Sequence, residues 1–349
     1  MDTTGKNTAD HPELSALRAF SARIGRDRTL IQGAGGNTSL KLSGMLFVKA
    51  SGTWLSEAEE RDLFMPLPLD RLSAEIERTR ATGEELRAEA LSDAREARPS
   101  IETVIHGLLP KRVVVHVHSV NTIAHAACSG GESLVAKKLT GLDWTWIPYA
   151  RPGRRLALLI EEARQADIYV LANHGLIVQA DNVEAADALL AEVERRLHVA
   201  PRPAGMPRWD ILGTIAEASG MQVPEDPRVH AASLDQALAI AGAGALYPDH
   251  VVYLGASPLV SAPPTEAVAR IDDHRRRAGK LPDYLVVPGA GVLLGPEANR
   301  CVAPMLDCLG MVLSRLDAPE RTVFLSTGDE GDLIHWDQEK HRMRLAGPR

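Results

Sequence analysis

Cysteine, excess positive charge and long apolar runs are all scarce in this chain, and each scarcity removes a class of explanation. Cys128, Cys301 and Cys308 are the only cysteines in 349 residues. They are too few and too irregularly spaced for a disulfide framework or a zinc site built on thiolates. A formal net charge of −7 leaves no basic footprint for nucleic acid or anionic lipid, so any anion must be met by a locally built site. No apolar run approaches the ~18 residues that span a membrane, and residues 1–15 are polar, without the charged-then-apolar order of a secretory signal. The expectation is a reduced, cytoplasmic protein with neither a nucleic-acid nor a membrane partner. Hydrophobic residues at 45% and charged residues at 24% are ordinary for a globular chain, and the length suggests two domains.

What is present is a series of short, well-punctuated elements. Residues 11–26 have helical periodicity. They lead into the glycine-rich turn Gly33–Gly36, then into two short apolar stretches flanking Ser43-Gly44, the pattern of a hairpin. Ser56–Glu59 opens an acidic segment that suits a short helix, and 75–98 is charged and alanine-rich, a solvated helix or an excursion. A helix is expected from Pro99 to about Pro110, with Ile101, Val104, Ile105 and Leu108 at helical spacing. A strand through Val113–His118, a helix over 121–127, a short strand near Ile147, a helix over 154–166, a strand over 168–171 with its return partner at 176–178, and a helix over 182–197 follow. Proline and glycine cluster at Pro201, Pro203, Gly205 and Pro207, marking a linker over 201–207. Beyond it, 251–254 and 284–287 read as strands, Gly289–Gly291 as a tight turn and 297–316 as a long helix. The domains are therefore expected at 1–200 and 208–349.

Three constellations carry chemistry. His116 and His118 alternate within an apolar strand, so both imidazoles share one face; His174 sits at the end of another apolar run, in Asn173-His174-Gly175. Any one of these histidines suits a packed core, but three imidazoles meeting from two strands would hold a divalent metal with a position left open, the ligand count of a catalytic site. Gly36, Asn37, Ser51 and Gly52 belong to two glycine-containing segments, Gly33–Ser39 and Lys49–Thr53, whose backbone and small side chains can converge on one phosphate or carboxylate. Each is also compatible with a plain turn, and Lys49 with a surface charge. Glu102, near the start of its helix, can act as general base beside a Lewis-acid metal or can simply favour the helix dipole. His106, one turn later, either orients Glu102 or packs. His125 reads as structural, and the remaining histidines show no partner pattern.

In this order the segments GGNTS, KASG, PSIETVIH, VVHVHS, IPYA and LANHGLI resemble the class II aldolase and adducin family over roughly residues 12–200. The resemblance implies a three-layer α/β domain with a largely antiparallel central sheet, zinc or another divalent metal on His116, His118 and His174, and acid/base chemistry at Glu102. It also implies a substrate-phosphate site at Gly36, Asn37, Ser51, Gly52 and Ser100, and a homotetramer. The segments Tyr247–Val252 and Val287–Val292, with Trp336–Glu339, are similar to the portion following the aldolase domain in bifunctional rhamnulose-phosphate aldolase/alcohol dehydrogenase proteins, whose dehydrogenase domain is absent. Residues 208–349 are thus expected to form a smaller accessory α/β domain.

The reaction so implied is metal-dependent retro-aldol cleavage of a ketose phosphate or related hydroxy-carbonyl compound through a zinc-stabilised enediolate. Epimerases of the family place aspartate where Glu102 stands, which favours an aldolase or dehydratase. A non-catalytic adducin-like interaction protein would have little use for three ligand histidines, and a metallohydrolase lacks a second carboxylate pattern. The leaving aldehyde's proton-transfer partner is not identified; Tyr149 and Tyr169 lie in core-like segments.

Overall fold

The computed structural model describes residues 11–87, 91, 98–233, 236–256, 260 and 263–347. These fall into two compact units, one running to Ala126 and resuming over Glu132–His198, the other combining Ala127–Gly131 with the chain from Val199.

The first unit is built on seven strands: β1 Asn37–Leu42, β2 Met45–Lys49, β3 Phe64–Pro68, β4 Val113–Val117, β5 Trp144–Ile147, β6 Ile168–Leu171 and β7 Gly175–Ala180. They form one sheet in the order β3-β2-β1-β4-β7-β6-β5, antiparallel at every pairing except β5 with β6. The β1–β2 hairpin closes as expected at Ser43 and Gly44, both with positive φ, the geometry that twists a two-residue turn into register. Strand β3 has no counterpart in the sequence reading; Pro66 and Pro68 obscure it, and they are tolerated because β3 lies at the sheet edge.

Among the described residues, seven α-helices accompany the sheet: α1 Pro12–Arg26, α2 Leu69–Thr82, α3 Thr103–Leu108, α4 Val120–Ala126, α5 Gly131–Lys138, α6 Arg154–Glu162 and α7 Val183–Leu197. Caps set the ends of the longest two. His11 Nδ1 accepts from the Glu13 N–H ahead of Pro12, and Asn182 accepts from Ala185 N–H at 2.8 Å. Strand alternation sorts the side chains into two cores and makes three layers. Val113, Val115 and Val117 of β4 face Leu14 and Leu17 of α1 and Leu190 and Val193 of α7, whereas Val114 faces Leu72 of α2, Ile105 of α3 and Leu156 of α6. His116, two residues from Val114, therefore projects on the α3 side.

Two expectations in this unit shift. The helix anticipated from Pro99 begins only at Thr103, because Pro99 instead makes a β-bridge with Ala50. The charged 75–98 segment begins as the end of α2. There Glu75 is buried and engaged by Arg78, with Arg87 N–H donating to it at 2.8 Å; much of the remainder of that segment lies outside the described residues.

The second unit pairs α8 Trp209–Ser219, α9 Gln236–Ala243, α10 Pro248–Leu254, α11 Ala267–Ala278, α12 Val302–Leu313, α13 Thr327–Ile334 and α14 Asp337–Ala346 with a two-stranded sheet, β8 Tyr284–Val287 and β9 Gly291–Leu294. Leu212 and Ile215 of α8, Ile271 of α11 and Leu285 and Leu293 of the hairpin share a core. The strand expected at 251–254 is helical: Pro248 occupies the first turn of α10, and all seven residues of that helix are buried, so its apolar run reflects all-round burial rather than a strand. The long helix expected over 297–316 is confined to 302–313. Among the described residues no helix is long and apolar enough to cross a membrane.

Candidate metal centre

Three local devices bring the histidines together. His116 occupies the fourth position of β4 and His118 lies one residue beyond its end, on the same alternation. His174 follows Asn173, which adopts a left-handed φ of 51°, and His174 N–H closes the turn onto Leu171 O at 3.2 Å. Gly175 then lets this turn press on β4: a Cβ there would meet Val117 O at 2.4 Å. The His174 ring centroid consequently lies 4.9 Å from that of His116 and 5.3 Å from that of His118, and 5.0 Å separates the first two. One ligand atom from each lies within 4.8 Å of the others, and all three residues are buried.

Glu102 overhangs this cluster. It is the N-cap of α3 rather than a first-turn residue, and its Oε2 lies 3.4 Å from His116 Nε2 while Oε1 lies 3.7 Å from His174 Nε2. Burial would push the Glu102 carboxyl up, but the His116, His174 and His118 imidazoles and the Asn37 amide outweigh it and hold the group at about 2. Glu102 is itself buried, 6% exposed.

The donor set fits a divalent metal. His116 Nδ1 faces Leu176 O at 3.1 Å; a carbonyl only accepts, so Nδ1 carries a proton, which makes Nε2, on the Glu102 side, the nitrogen available to an ion. Three imidazoles without a thiolate suit zinc or a similar first-row ion.

Asn37 stands opposite His116 across β1 and β4. Its Nδ2 donates to Glu102 Oε2 at 2.8 Å and to Ser100 Oγ at 3.2 Å. His106 is not mere packing: its Nε2 meets Asn37 Oδ1, and its Nδ1 lies 2.6 Å from Ser39 Oγ. Burial depresses the His106 imidazole to about 3, the Glu102 charge opposing this only in part, so the ring is neutral. Sequence reasoning missed Ser39 as the partner of His106, although Ser39, two residues along the same strand as Asn37, necessarily shares its face.

The two anion-site segments are joined by Lys49. This lysine is buried, not a surface charge, and its Nζ donates to Ala34 O at 2.8 Å and Thr53 O at 2.9 Å, tying the glycine turn to the loop after β2. Gly36 adopts φ 59° with no room for a Cβ, which would meet Ile31 Cδ1 at 2.3 Å and His116 O at 2.9 Å. Gly52 has φ 74°. Ser51 is drawn towards Ser100 by paired backbone bonds, Ser51 N–H to Arg98 O at 2.8 Å and Ser100 N–H to Lys49 O at 3.2 Å. His125, by contrast, is structural, its Nε2 lying 3.0 Å from Leu197 O at the end of α7, and Tyr169 OH is engaged in the core by Ala166 N–H and Gln165.

Residues 16–200 match the family described as the Class II Aldolase and Adducin N-terminal domain. The chain belongs to the class II aldolase and adducin family. Among curated proteins it is similar to an uncharacterized oxidoreductase, YuxG, of Bacillus subtilis (strain 168), with 27% identity over 295 residues; that match takes in 72% of this chain, which spans 42% of the length of that relative. The similarity thus reaches past the family segment into the second unit. Similar solved structures include the N-terminal class II aldolase domain of a conserved protein from Thermoplasma acidophilum, at 24% identity, 56% of this chain, 97% of that one and a TM-score of 0.46. An L-fuculose-1-phosphate aldolase from Thermus thermophilus is similar at 18% identity, 52% and 92% coverage and a TM-score of 0.35.

Proposed function

We propose that this protein is a zinc-dependent lyase that cleaves a ketose phosphate, or a related hydroxy-carbonyl compound, by the retro-aldol route. The observation that supports this reading is the buried Glu102 carboxyl group lying against the His116 and His174 rings. His116, His118 and His174 would hold the ion, whose Lewis-acid charge disperses the negative charge that develops on a substrate's carbonyl oxygen.

Glu102 moves the proton. In the condensing direction its carboxylate removes the hydrogen α to the carbonyl; in the cleaving direction the substrate's β-hydroxyl gives up its proton as it becomes the new carbonyl, and Glu102, having taken up a proton in exchange, delivers it to the carbon that keeps the electrons of the broken C–C bond. Burial excludes bulk water from this transfer, and the fixed Asn37 N–H keeps the carboxylate aimed. Gly36, Ser51, Gly52 and Ser100 form the candidate anion site. Ser100 Oγ accepts from Asn37 Nδ2 and from Glu102 N–H at 3.3 Å, which leaves its hydroxyl hydrogen as a donor for a substrate oxygen. Residues 208–349 serve as an accessory domain in this reading.

Metal analysis of purified protein, followed by incubation with a panel of ketose 1-phosphates, tests the reading. One equivalent of zinc and the release of two carbonyl fragments are expected. Protein that retains no divalent metal, or that yields only epimers or dehydrated product, would overturn it.

A further inference from the structure

Two glycine-containing loops flank the candidate anion site, and each is closed on itself. In the first, Gly35 N–H donates to Gln32 O at 3.0 Å; in the second, Thr53 Oγ1 donates to Ala50 O at 2.7 Å. Neither bond sets the distance between the loops. Lys49 does so from behind. Phe47, two residues earlier on β2, packs in the core shared with α1 and α7, whereas Val48 packs on the side of α3. Strand alternation therefore sends the Lys49 side chain off the sheet on the face opposite Glu102. There its Nζ donates to Ala34 O at 2.8 Å and to Thr53 O at 2.9 Å, while its own carbonyl accepts from Ser100 N–H at 3.2 Å. One residue is thus bonded to all three chain segments that supply Gly36, Ser51, Gly52 and Ser100. Lys49 is 2% exposed, so bulk water cannot readily replace these charge-assisted bonds. Its ammonium also sets a positive charge beneath the loops of a chain whose formal net charge is −7, from which a phosphate dianion gains more than a neutral hydroxyl does.

We propose that Lys49 is the positioning residue of the anion site. It holds Gly36, Ser51, Gly52 and Ser100 together around one phosphate group, and so selects phosphorylated over unphosphorylated substrates, acting through the loops and not by contact with the anion. The inference rests on the reading of those four residues as a substrate-phosphate site.

Full-length, zinc-loaded protein and two probes test it: inorganic phosphate for binding, and dihydroxyacetone phosphate for turnover, read by solvent-deuterium exchange at its α-carbon. Lys49→Met removes both side-chain ties with little change of volume. The Kd for inorganic phosphate, by isothermal titration calorimetry, and the KM for dihydroxyacetone phosphate should each rise by at least about tenfold, the loss expected for hydrogen bonds to a charged group. The exchange kcat should stay within about threefold of the unmodified protein, and KM for unphosphorylated dihydroxyacetone should not move, since only ground-state binding of the phosphate is weakened. Lys49→Arg, which keeps the charge and the donors, should recover most of the loss. Amide hydrogen exchange of the unmodified protein gives a readout that does not depend on a variant folding: inorganic phosphate should slow exchange in residues 33–36 and 50–53 together. Protection confined to one of these loops, or absent from both, would overturn the proposal. So would a folded Lys49→Met variant with unchanged phosphate affinity, or one whose KM rises equally for both dihydroxyacetone probes. Unmodified protein that exchanges no hydrogen on either probe would defeat the lyase reading instead, and phosphate binding would still decide the role of Lys49.

Discussion

Asn37 and His116 are direct partners across the β1–β4 ladder, so a group that orients the carboxylate and a candidate metal ligand share one patch of one sheet face. Glu102 is bound to the first at 2.8 Å and lies 3.4 Å from the second. Strand pairing therefore holds carboxylate and imidazole in fixed relation, with little dependence on loop geometry.

Replacing Glu102 with glutamine should abolish proton transfer while leaving the three imidazoles in place. We expect cleavage kcat to fall by about 10²–10⁴, the usual contribution of a positioned acid/base. Metal content, measured by elemental analysis, should remain at the unmodified level. Loss of metal together with activity would mean that Glu102 serves the ion and not the substrate.

His174→Ala should separate metal binding from folding. The bound ion should drop at least about tenfold, since even indirect supports of a ligand are worth that much, while far-ultraviolet circular dichroism stays unchanged. Full metal retention would remove His174 from the ligand set.

Gly175→Ala introduces a Cβ against Val117 O at 2.4 Å. The backbone must give way, which we expect to cost roughly 1–3 kcal/mol and to lower Tm by several degrees. Gly44→Ala is the comparison: nothing lies within 4 Å of its Cβ, and only the positive φ of 76° opposes it, a penalty of about 1 kcal/mol. Differential scanning calorimetry should rank Gly175→Ala as the more damaging, and zinc affinity should fall only in that variant, because the glycine carries the His174 turn.

Acidification should destabilise the second unit through His250. Burial lowers its imidazole from 6.5 to about 4, and its Nδ1 accepts from Leu246 N–H at 3.2 Å, a bond only the unprotonated nitrogen can make. Between those two values the unfolded chain binds more protons than the folded one. Stability from this residue is thus complete above about pH 6.5 and is lost as the pH falls towards 4. Urea midpoints measured across this window should fall more steeply for the unmodified protein than for His250→Gln. Parallel slopes would assign the acid sensitivity elsewhere.

Much of the first unit was legible because its signals are local. Alternation in Val113–His118, the Ser43-Gly44 turn and the stripes of α1 and α7 each specify an element by periodicity or by a required φ. The misreadings have equally definite causes. Pro99 marked a helix start in sequence, but pairing with Ala50 claimed it for a bridge. The 251–254 run is apolar because α10 is buried on all sides, and a short apolar run carries no period that distinguishes helix from strand. Lys49 read as a surface charge sooner than a phosphate partner, and it is neither exposed nor free of protein carbonyls, since sequence says nothing of which carbonyls a long side chain will reach.

By itself the sequence determined the residue types of the centre, three imidazoles and one carboxylate, together with the strands that carry two of the rings, because side-chain chemistry and strand alternation are properties of neighbours in the chain. Tertiary structure alone decided that His174 meets His116, that Glu102 faces both, and that Ser39, His106 and Asn37 form one chain of hydrogen bonds. Those relations join residues distant in sequence, His106 and Asn37 being 69 positions apart. Only the antiparallel register of β1, β4 and β7, with the close approach permitted at Gly175, sets their distances.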